Sequence, residues 1–284
     1  MTIKTILAPL TGSSAEKPVL NTALAIAKRF GAHIDVLHVR TDPRDAIPYL
    51  GEGISGAMIE EIMERADAEI AEIENKAHHQ FDAWRNDAAL ALSNTPCEGA
   101  SCSWHVVTGA QDQATAVGGR YADLVVVPGF GEAVENEIQF ESTVMECGRA
   151  LVLAPTKSPK SVGERIMIAW DGGAESARAV SAALPLLTTA KSVSIITVSE
   201  ASKSNADLKA LARYLSWHGI DAATKMVDPG DQDVGETIMA TAAAEKADLV
   251  VMGAYSHSRL REFVFGGVTR HVMETANLPV LMAH

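Results

Sequence analysis

Short apolar runs alternate with helix-length amphipathic stretches along the whole chain, and their order occurs twice. Apolar runs of this length predict strands, and apolar residues spaced three and four apart predict helices. The strands predicted in the first half are 3–9, 33–39, 103–107, 124–127 and 150–154, and the helices are 15–30, 57–92, 113–121 and 142–147. In the second half the strands are 165–170, 192–198, 222–227, 248–252 and 279–283, and the helices are 174–188, 205–218, 233–246 and 267–276.

The repetition extends to the residues themselves. Segment 6–39 matches segment 166–198, and Ala-Asp-Leu-Val-Val-Val at 122–127 matches Ala-Asp-Leu-Val-Val-Met at 247–252. A repeat of this length indicates a duplicated domain rather than a solenoid unit. The two copies can therefore be compared within one chain.

Strands that are apolar throughout and alternate with helices indicate a parallel sheet covered on both faces. We predict an α/β protein of two tandem doubly wound, Rossmann-like domains, each a five-stranded parallel sheet with helices on both faces. The predicted domains are 1–157 and 164–284, and the polar, proline-bearing segment 155–163 connects them. Ligands of such sheets bind at the carboxyl ends of the strands, where the strand order reverses. A site is therefore expected after the first and fourth strands of each copy.

Composition narrows the classes of function. The 284 residues carry a net charge of −12, of which −9 falls before residue 163 and −3 after it. This balance argues against nucleic-acid partners, which require basic surface. No apolar run approaches the ~20 residues of a membrane span, and no secretory leader is visible. The three cysteines lack metal-type spacing and are expected to be reduced thiols, so a cytoplasmic location is expected.

The second copy carries a candidate anion site after its fourth strand. Gly253 allows a turn without a side chain, and Gly266 and Gly267 leave backbone N–H groups bare at a helix start. The hydroxyls of Ser256 and Thr269 add donors, Arg259 or Arg261 supplies counter-charge, and Asp171-Gly172 after the first strand can accept from a base or ribose. The competing interpretation is a loop and a helix start with small residues for packing.

These residues resemble the glycine motif of the universal stress protein family, and the whole chain resembles its tandem form. Gly253 and Gly266 match the motif directly, whereas Ser256 stands at its second glycine and Gly267 at its Ser/Thr, with Thr269 two residues on. The resemblance implies ATP or AMP as the ligand, with or without magnesium. Another branch of the family lacks the motif and binds no nucleotide.

The resemblance carries two further implications. Val198 and Met252, at two strand ends, would flank the adenine. The last strands, 150–154 and 279–283, would pair across the copies, which makes the chain an intramolecular pseudo-dimer. Association of two chains into a homodimer and an unidentified protein partner are left open.

The first copy has lost most of the candidate site. Thr11 stands where Asp171 does, and Pro128, which has no backbone N–H, stands where Gly253 does. The segment 131–137 has three glutamates and is predicted to be an acidic loop that repels phosphate. We therefore predict that the first copy binds no ATP.

Other chemical features are weaker. His78 and His79 are adjacent on a helix and cannot face one metal. Asp123 and Asp248 occur in both copies and are expected to be structural, and Trp170 is expected to pack at the mouth of the crevice. No phosphate-binding loop with a lysine, nucleophile elbow or nucleophile–base pair is found.

The favoured hypothesis is a nucleotide-responsive regulatory protein of the stress response, with slow ATP hydrolysis at most. The alternatives are a nucleotide-free interaction scaffold and, with least support, an ATP-cleaving or adenylating enzyme.

Overall fold

The computed structural model describes residues 2–12, 16–46, 56–129, 134–198, 206–255 and 267–284. The first half contains, in order, β1 (Thr5–Leu10), α1 (Glu16–Phe30), β2 (His33–Arg40), a 3-10 turn (Pro43–Ala46), α2 (Gly56–Ala88), β3 (Ala91–Leu92), β4 (Ser101–Thr108), α3 (Gln111–Gly119), β5 (Leu124–Pro128), α4 (Val134–Glu146) and β6 (Ala150–Ala154). The second half contains β7 (Arg165–Ala169), α5 (Ala174–Leu187), β8 (Ser192–Val198), α6 (Ala206–Ser216), β9 (Ala222–Val227), α7 (Val234–Ala244), β10 (Leu249–Gly253), α8 (Gly267–Thr275) and β11 (Val280–Ala283).

All eleven strands of the described residues form one sheet in the order β3-β4-β2-β1-β5-β6-β11-β10-β7-β8-β9. Pairing is parallel within each half, and the two halves meet where β6 and β11 pair antiparallel, with Val280 opposite Leu153. The doubly wound fold of each half is confirmed, as is the strand pairing that the family resemblance implied. The two-residue β3 is a sixth strand that the pattern did not predict.

Alternate residues of each strand serve two separate cores on the two faces of the sheet. Ile166 and Ile168 join the core under α1, α2, α5 and α6, whereas Met167 and Ala169 join the core under α3, α4, α7 and α8. The period-two geometry of a strand explains why both sets are apolar, because each face is covered by helices. The sheet is thus covered by helices on both faces.

The two aspartates that precede equivalent strands are structural, as predicted. Asp123 Oδ2 accepts from the backbone N–H groups of Lys4 (2.7 Å) and Thr5 (3.0 Å). Asp248 accepts from the N–H groups of Glu164 (3.1 Å) and Arg165 (2.7 Å). Each carboxylate satisfies backbone donors at the start of the first strand of its half.

The predicted start of α4 is wrong, because the helix begins before residue 142. The acidic segment 131–137 was expected to be a loop, but α4 begins at Val134, so Glu135 and Glu137 belong to a helix. Glutamate has high helix propensity, and acidic residues near a helix amino terminus interact favourably with its dipole. Residues 130–133 lie outside the described part of the chain.

Arg29 joins the two halves away from the sheet. Its guanidinium donates from Nη1 to the carbonyl of Val162 (2.5 Å) and from Nη2 to the carbonyl (3.0 Å) and hydroxyl (2.6 Å) of Thr189. Desolvation by burial lowers the pKa of this side chain, and the nearby carboxylates of Asp248 and Glu164 partly offset this decrease. The contacts tie α1 to the connecting segment and to the end of α5.

Among the described residues, no helix is both long and apolar enough for a membrane span.

Candidate functional site

The strand order of the second half reverses at β7, which pairs with β8 on one side and β10 on the other. The chain leaves β7 into α5 on one face of the sheet, whereas α8 lies on the opposite face. A crevice at the carboxyl ends of β7 and β10 is therefore bounded by the amino termini of two helices on opposite faces. This is the position at which such sheets hold their ligands.

Asp171 lies in this crevice, immediately after β7. Its side chain is exposed, and Oδ1 accepts from the N–H of Gly173 (2.8 Å) and the hydroxyl of Ser176 (2.6 Å). The first contact is a turn that an aspartate forms with the backbone two residues on. Oδ2 has no hydrogen bond to any described residue, so it remains able to accept from a ligand.

Gly253 ends β10 and packs directly on the start of α5. A β-carbon at this position would lie 2.6 Å from the backbone nitrogen of Ser176 and 2.9 Å from Cβ of Glu175. Both distances are shorter than van der Waals contact, so only glycine allows the strand end to approach the helix this closely. The glycine requirement at 253 therefore has a packing cause that is independent of any ligand.

Gly172, next to Asp171, is exposed. Its backbone has a left-handed φ of +81°, and no described atom lies within 4 Å of a β-carbon built on it. Gly12 occupies the same place in the first half and has nearly the same φ of +87°. Its β-carbon position, however, is 3.1 Å from Cγ2 of Ile73 and 3.9 Å from Cβ of Ala77, both on α2. The turn is preserved, but in the first half a helix covers it.

The other predicted site residues fall into three groups. Gly267 is the first residue of α8 and is exposed, which leaves its backbone open to an anion, whereas Thr269 in the same turn is only 5% exposed. Val198 ends β8 and Met252 precedes the end of β10, and both pack on the apolar core under α7 and α8. The predictions for Ser256, Arg259 and Gly266 concern residues outside the described part of the chain.

The strand register supports the comparison of the two crevices. Ile6 pairs with Leu124 as Ile166 pairs with Leu249, so Thr11 is equivalent to Asp171. Pro128 pairs with Ala154 as Gly253 pairs with Ala283.

The carboxylate of the first crevice comes from the helix instead of the strand end. The N–H of Thr11 donates to Glu16 Oε1, and Glu16 is 5% exposed, whereas the equivalent residue of the second half is Ser176. The first crevice thus combines a buried acid with a covering helix.

Trp170, expected at the crevice mouth, is partly buried against the core under α5 and α6. Its backbone N–H donates to the carbonyl of Ile196 (2.8 Å), and its backbone carbonyl accepts from the hydroxyl of Thr197 (2.8 Å). The indole Nε1 is sealed from solvent and has no acceptor among the described residues. Trp170 therefore packs on the core under α5 and α6.

Sequence reasoning missed three residues that shape the site. Gly173 and Ser176 fix Asp171, and the spacing Asp-Gly-Gly-x-x-Ser is a local signal from which both contacts could have been predicted. Glu175 packs on Gly253 and forms an ion pair with Arg178 (2.8 Å) on the next turn of α5. That contact joins two elements distant in sequence, and no local pattern indicates it.

Two doubly wound halves joined edge to edge through β6 and β11 define a tandem α/β protein. The model of the universal stress protein family matches residues 2–143 and 163–284, so the chain belongs to this family. No curated protein matches the sequence significantly.

Solved structures show the same fold at low sequence identity. A universal stress protein from Archaeoglobus fulgidus DSM 4304 is 18% identical with a TM-score of 0.68, and the match covers 99% of this chain and 96% of that one. A protein of Pseudomonas aeruginosa UCBPP-PA14, also described as a universal stress protein, is 16% identical with a TM-score of 0.56. That match covers 98% of this chain and 92% of that one.

Proposed function

We propose that the second half binds an adenine nucleotide, ATP or AMP, in the crevice between Asp171-Gly172 and the start of α8. The observation that carries the proposal is the contrast at two equivalent glycines. Gly172 is open, whereas Gly12 is covered by Ile73 and Ala77. A ligand therefore has space beside Gly172 that α2 occupies beside Gly12.

Each side of the crevice suits one part of the ligand. Asp171 Oδ2 would accept from an adenine amino group or a ribose hydroxyl, because Oδ1 is already held by Gly173 and Ser176. The exposed N–H end of α8 at Gly267 would face the phosphates, where the helix dipole favours negative charge. Ser256, Arg259, Gly266 and Thr269 complete the proposed phosphate side, with magnesium as an accompanying ion where the ligand is ATP.

The proposed role is regulatory: a cytoplasmic stress-response protein whose nucleotide occupancy changes what it binds, with slow hydrolysis at most. A second candidate is a nucleotide-free scaffold of the same fold. It is favoured by the packing cause for Gly253 and by the structural use of Asp171 Oδ1, since neither feature needs a ligand. Native mass spectrometry of freshly purified protein separates the two candidates, because a retained adenine nucleotide excludes the scaffold.

The decisive experiment is calorimetric titration of the wild type with ATP and AMP, compared with Gly267→Asp and Gly267→Asn. An aspartate at the start of α8 stabilises the helix but places a carboxylate where phosphate would bind. We expect it to weaken nucleotide binding at least about tenfold without lowering stability, whereas asparagine should weaken it less. Absence of ATP and AMP binding by the wild type would refute the proposal.

A further inference from the structure

An apolar patch lies on the first half, at the end of the sheet opposite to the crevices. It consists of Val117 on α3, Tyr121 before β5 and Met145 on α4, which are 47%, 83% and 52% exposed. Arg120, which precedes Tyr121, links the end of α3 to the end of α4, because its Nε donates to the carbonyl of Glu146 (3.3 Å) next to Met145. This apolar patch sits at the amino ends of the parallel strands, where α3 and α4 both finish.

The equivalent surface of the second half is not apolar. Counting from Asp123 and Asp248, Tyr121 corresponds to Lys246 and Val117 to Ala242, which is fully buried. Met145 corresponds to Met273 in the shared Val-Met-Glu sequence, and Met273 is 2% exposed. The two halves share a fold, so the fold does not require these apolar side chains to be exposed.

The rotation of α4 explains the exposure of Met145. Phe140, Thr143, Val144 and Cys147 are buried at the spacing i, i+3, i+4 and i+7, which forms one helical stripe. Met145 falls outside this stripe and points to solvent. In α8 the buried residues are Thr269, Val272 and Met273, so that helix turns its methionine inward.

Charges of both signs surround the apolar patch. Arg120 and Arg149 are linked by a hydrogen bond from Nη2 of Arg149 to the carbonyl of Arg120 (3.2 Å), and Glu146 is exposed on the same edge. No ion pair joins any of the three to another residue in the described part of the chain. An isologous contact pairs a surface with itself, so it requires charges of both signs on the rim, as this patch has.

We propose that the apolar patch is the contact surface for a second copy of this chain, in an isologous pair. Across the two-fold axis, the arginines of one copy would meet Glu146 of the other, and the tyrosine, valine and methionine side chains would pack at the centre. An acidic partner would instead be matched by cations alone, and Glu146 would repel it. Because the patch lies opposite to the crevices, the pair leaves both of them accessible, and the proposal does not depend on nucleotide binding.

The size of the patch sets the expected strength. Three partly exposed side chains give a few hundred Å², below the ~800 Å² that each partner contributes to a stable interface. The pair is therefore weak, with a Kd on the order of 100 µM. It forms at high local concentration and exchanges rapidly.

The test is sedimentation velocity over a concentration series reaching about 1 mM. The wild type should show a concentration-dependent rise in mass towards the dimer. The variant Arg120→Glu/Tyr121→Lys carries the residues that the second half has at these positions, so the fold should accept them. It should weaken association at least about tenfold. Trp217→Lys is the matched control, since Trp217 is 81% exposed elsewhere and its replacement should have no effect.

A second variant keeps the test decisive if the double variant fails to fold, as judged by thermal melting. Met145→Glu changes one exposed side chain at the patch centre and should weaken association by a similar factor. A wild type that stays monomeric to about 1 mM would overturn the proposal. Undiminished association of the folded patch variants would also overturn it, because the contact would then lie elsewhere.

Discussion

Replacing Gly253 with alanine tests the packing of the crevice most directly. The added β-carbon would lie 2.6 Å from Ser176 N and 2.9 Å from Glu175 Cβ, so either β10 or the start of α5 has to move. Overpacking a core usually costs about 1–3 kcal/mol. We expect the upper part of that range, about 2–3 kcal/mol, because the closest atom is backbone and cannot rotate away. The same shift would disturb Asp171, whose carboxylate is held by Ser176.

Differential scanning calorimetry would measure the effect, with two other glycines of the same crevice as controls. For a protein of this size the loss corresponds to a decrease in Tm of roughly 4–12 °C. Gly172→Ala meets no neighbour and should cost only the left-handed backbone strain, about 1 kcal/mol. Gly267→Ala lies in an open helix turn and should be neutral or slightly stabilising. A Gly253→Ala variant that melts like the wild type, or a Gly267→Ala variant that is the least stable of the three, would contradict this account of the packing.

Three further predictions concern the rest of the chain. Arg29→Ala removes three hydrogen bonds that tie α1 to the connecting segment and to the end of α5. It should lower the free energy of unfolding by about 2 kcal/mol in urea titration; an unchanged midpoint would contradict the contact. Burial lowers the pKa of His33 below 6.5, so the unfolded chain binds the proton more readily and stability should rise with pH up to about that value. His33→Gln should reduce this rise of stability with pH. A variant whose stability rises as much as that of the wild type would show that His33 is not its cause. Burial raises the pKa of Cys102 to about 11, so a thiol reagent should modify exposed Cys97 rapidly and Cys102 only on unfolding, as mass spectrometry can show.

Most of the fold could be predicted because its signals are local. Strands such as β5 and β10 are continuous apolar runs, and in the helices between strands apolar residues recur three and four positions apart. The type and order of the elements therefore followed from the sequence. Comparison of the two copies then identified Pro128 and Gly253 as equivalent, which the strand register confirms. The start of α4 was misplaced because segment 131–137 was interpreted by analogy with the glycine loop of the second copy, although its glutamates favour a helix.

The candidate site was less predictable because its main contacts are long-range. Gly253 was interpreted as a turn residue beside a ligand, whereas the structure shows that α5 requires a glycine there. The buried Glu16 also went unnoticed, because a glutamate at the start of a helix is normally exposed. No pattern in 57–92 indicates that α2 reaches Gly12, since this contact depends on how the helix lies on the sheet.

The covering helix, rather than the loss of motif glycines, is the stronger reason to expect an empty first crevice. Thr11 or Pro128 could revert by single substitutions, and the turn at Gly12 already has the same backbone as Gly172. A ligand would still meet Ile73 and Ala77 in the place that is open in the second half, together with the buried carboxylate of Glu16. Displacing α2 would expose Phe81 and Trp84, which are buried in the core beneath it, and burying a large aromatic side chain is worth about 2–3 kcal/mol. Restoring the motif in the first half should therefore not restore binding while α2 stays in place.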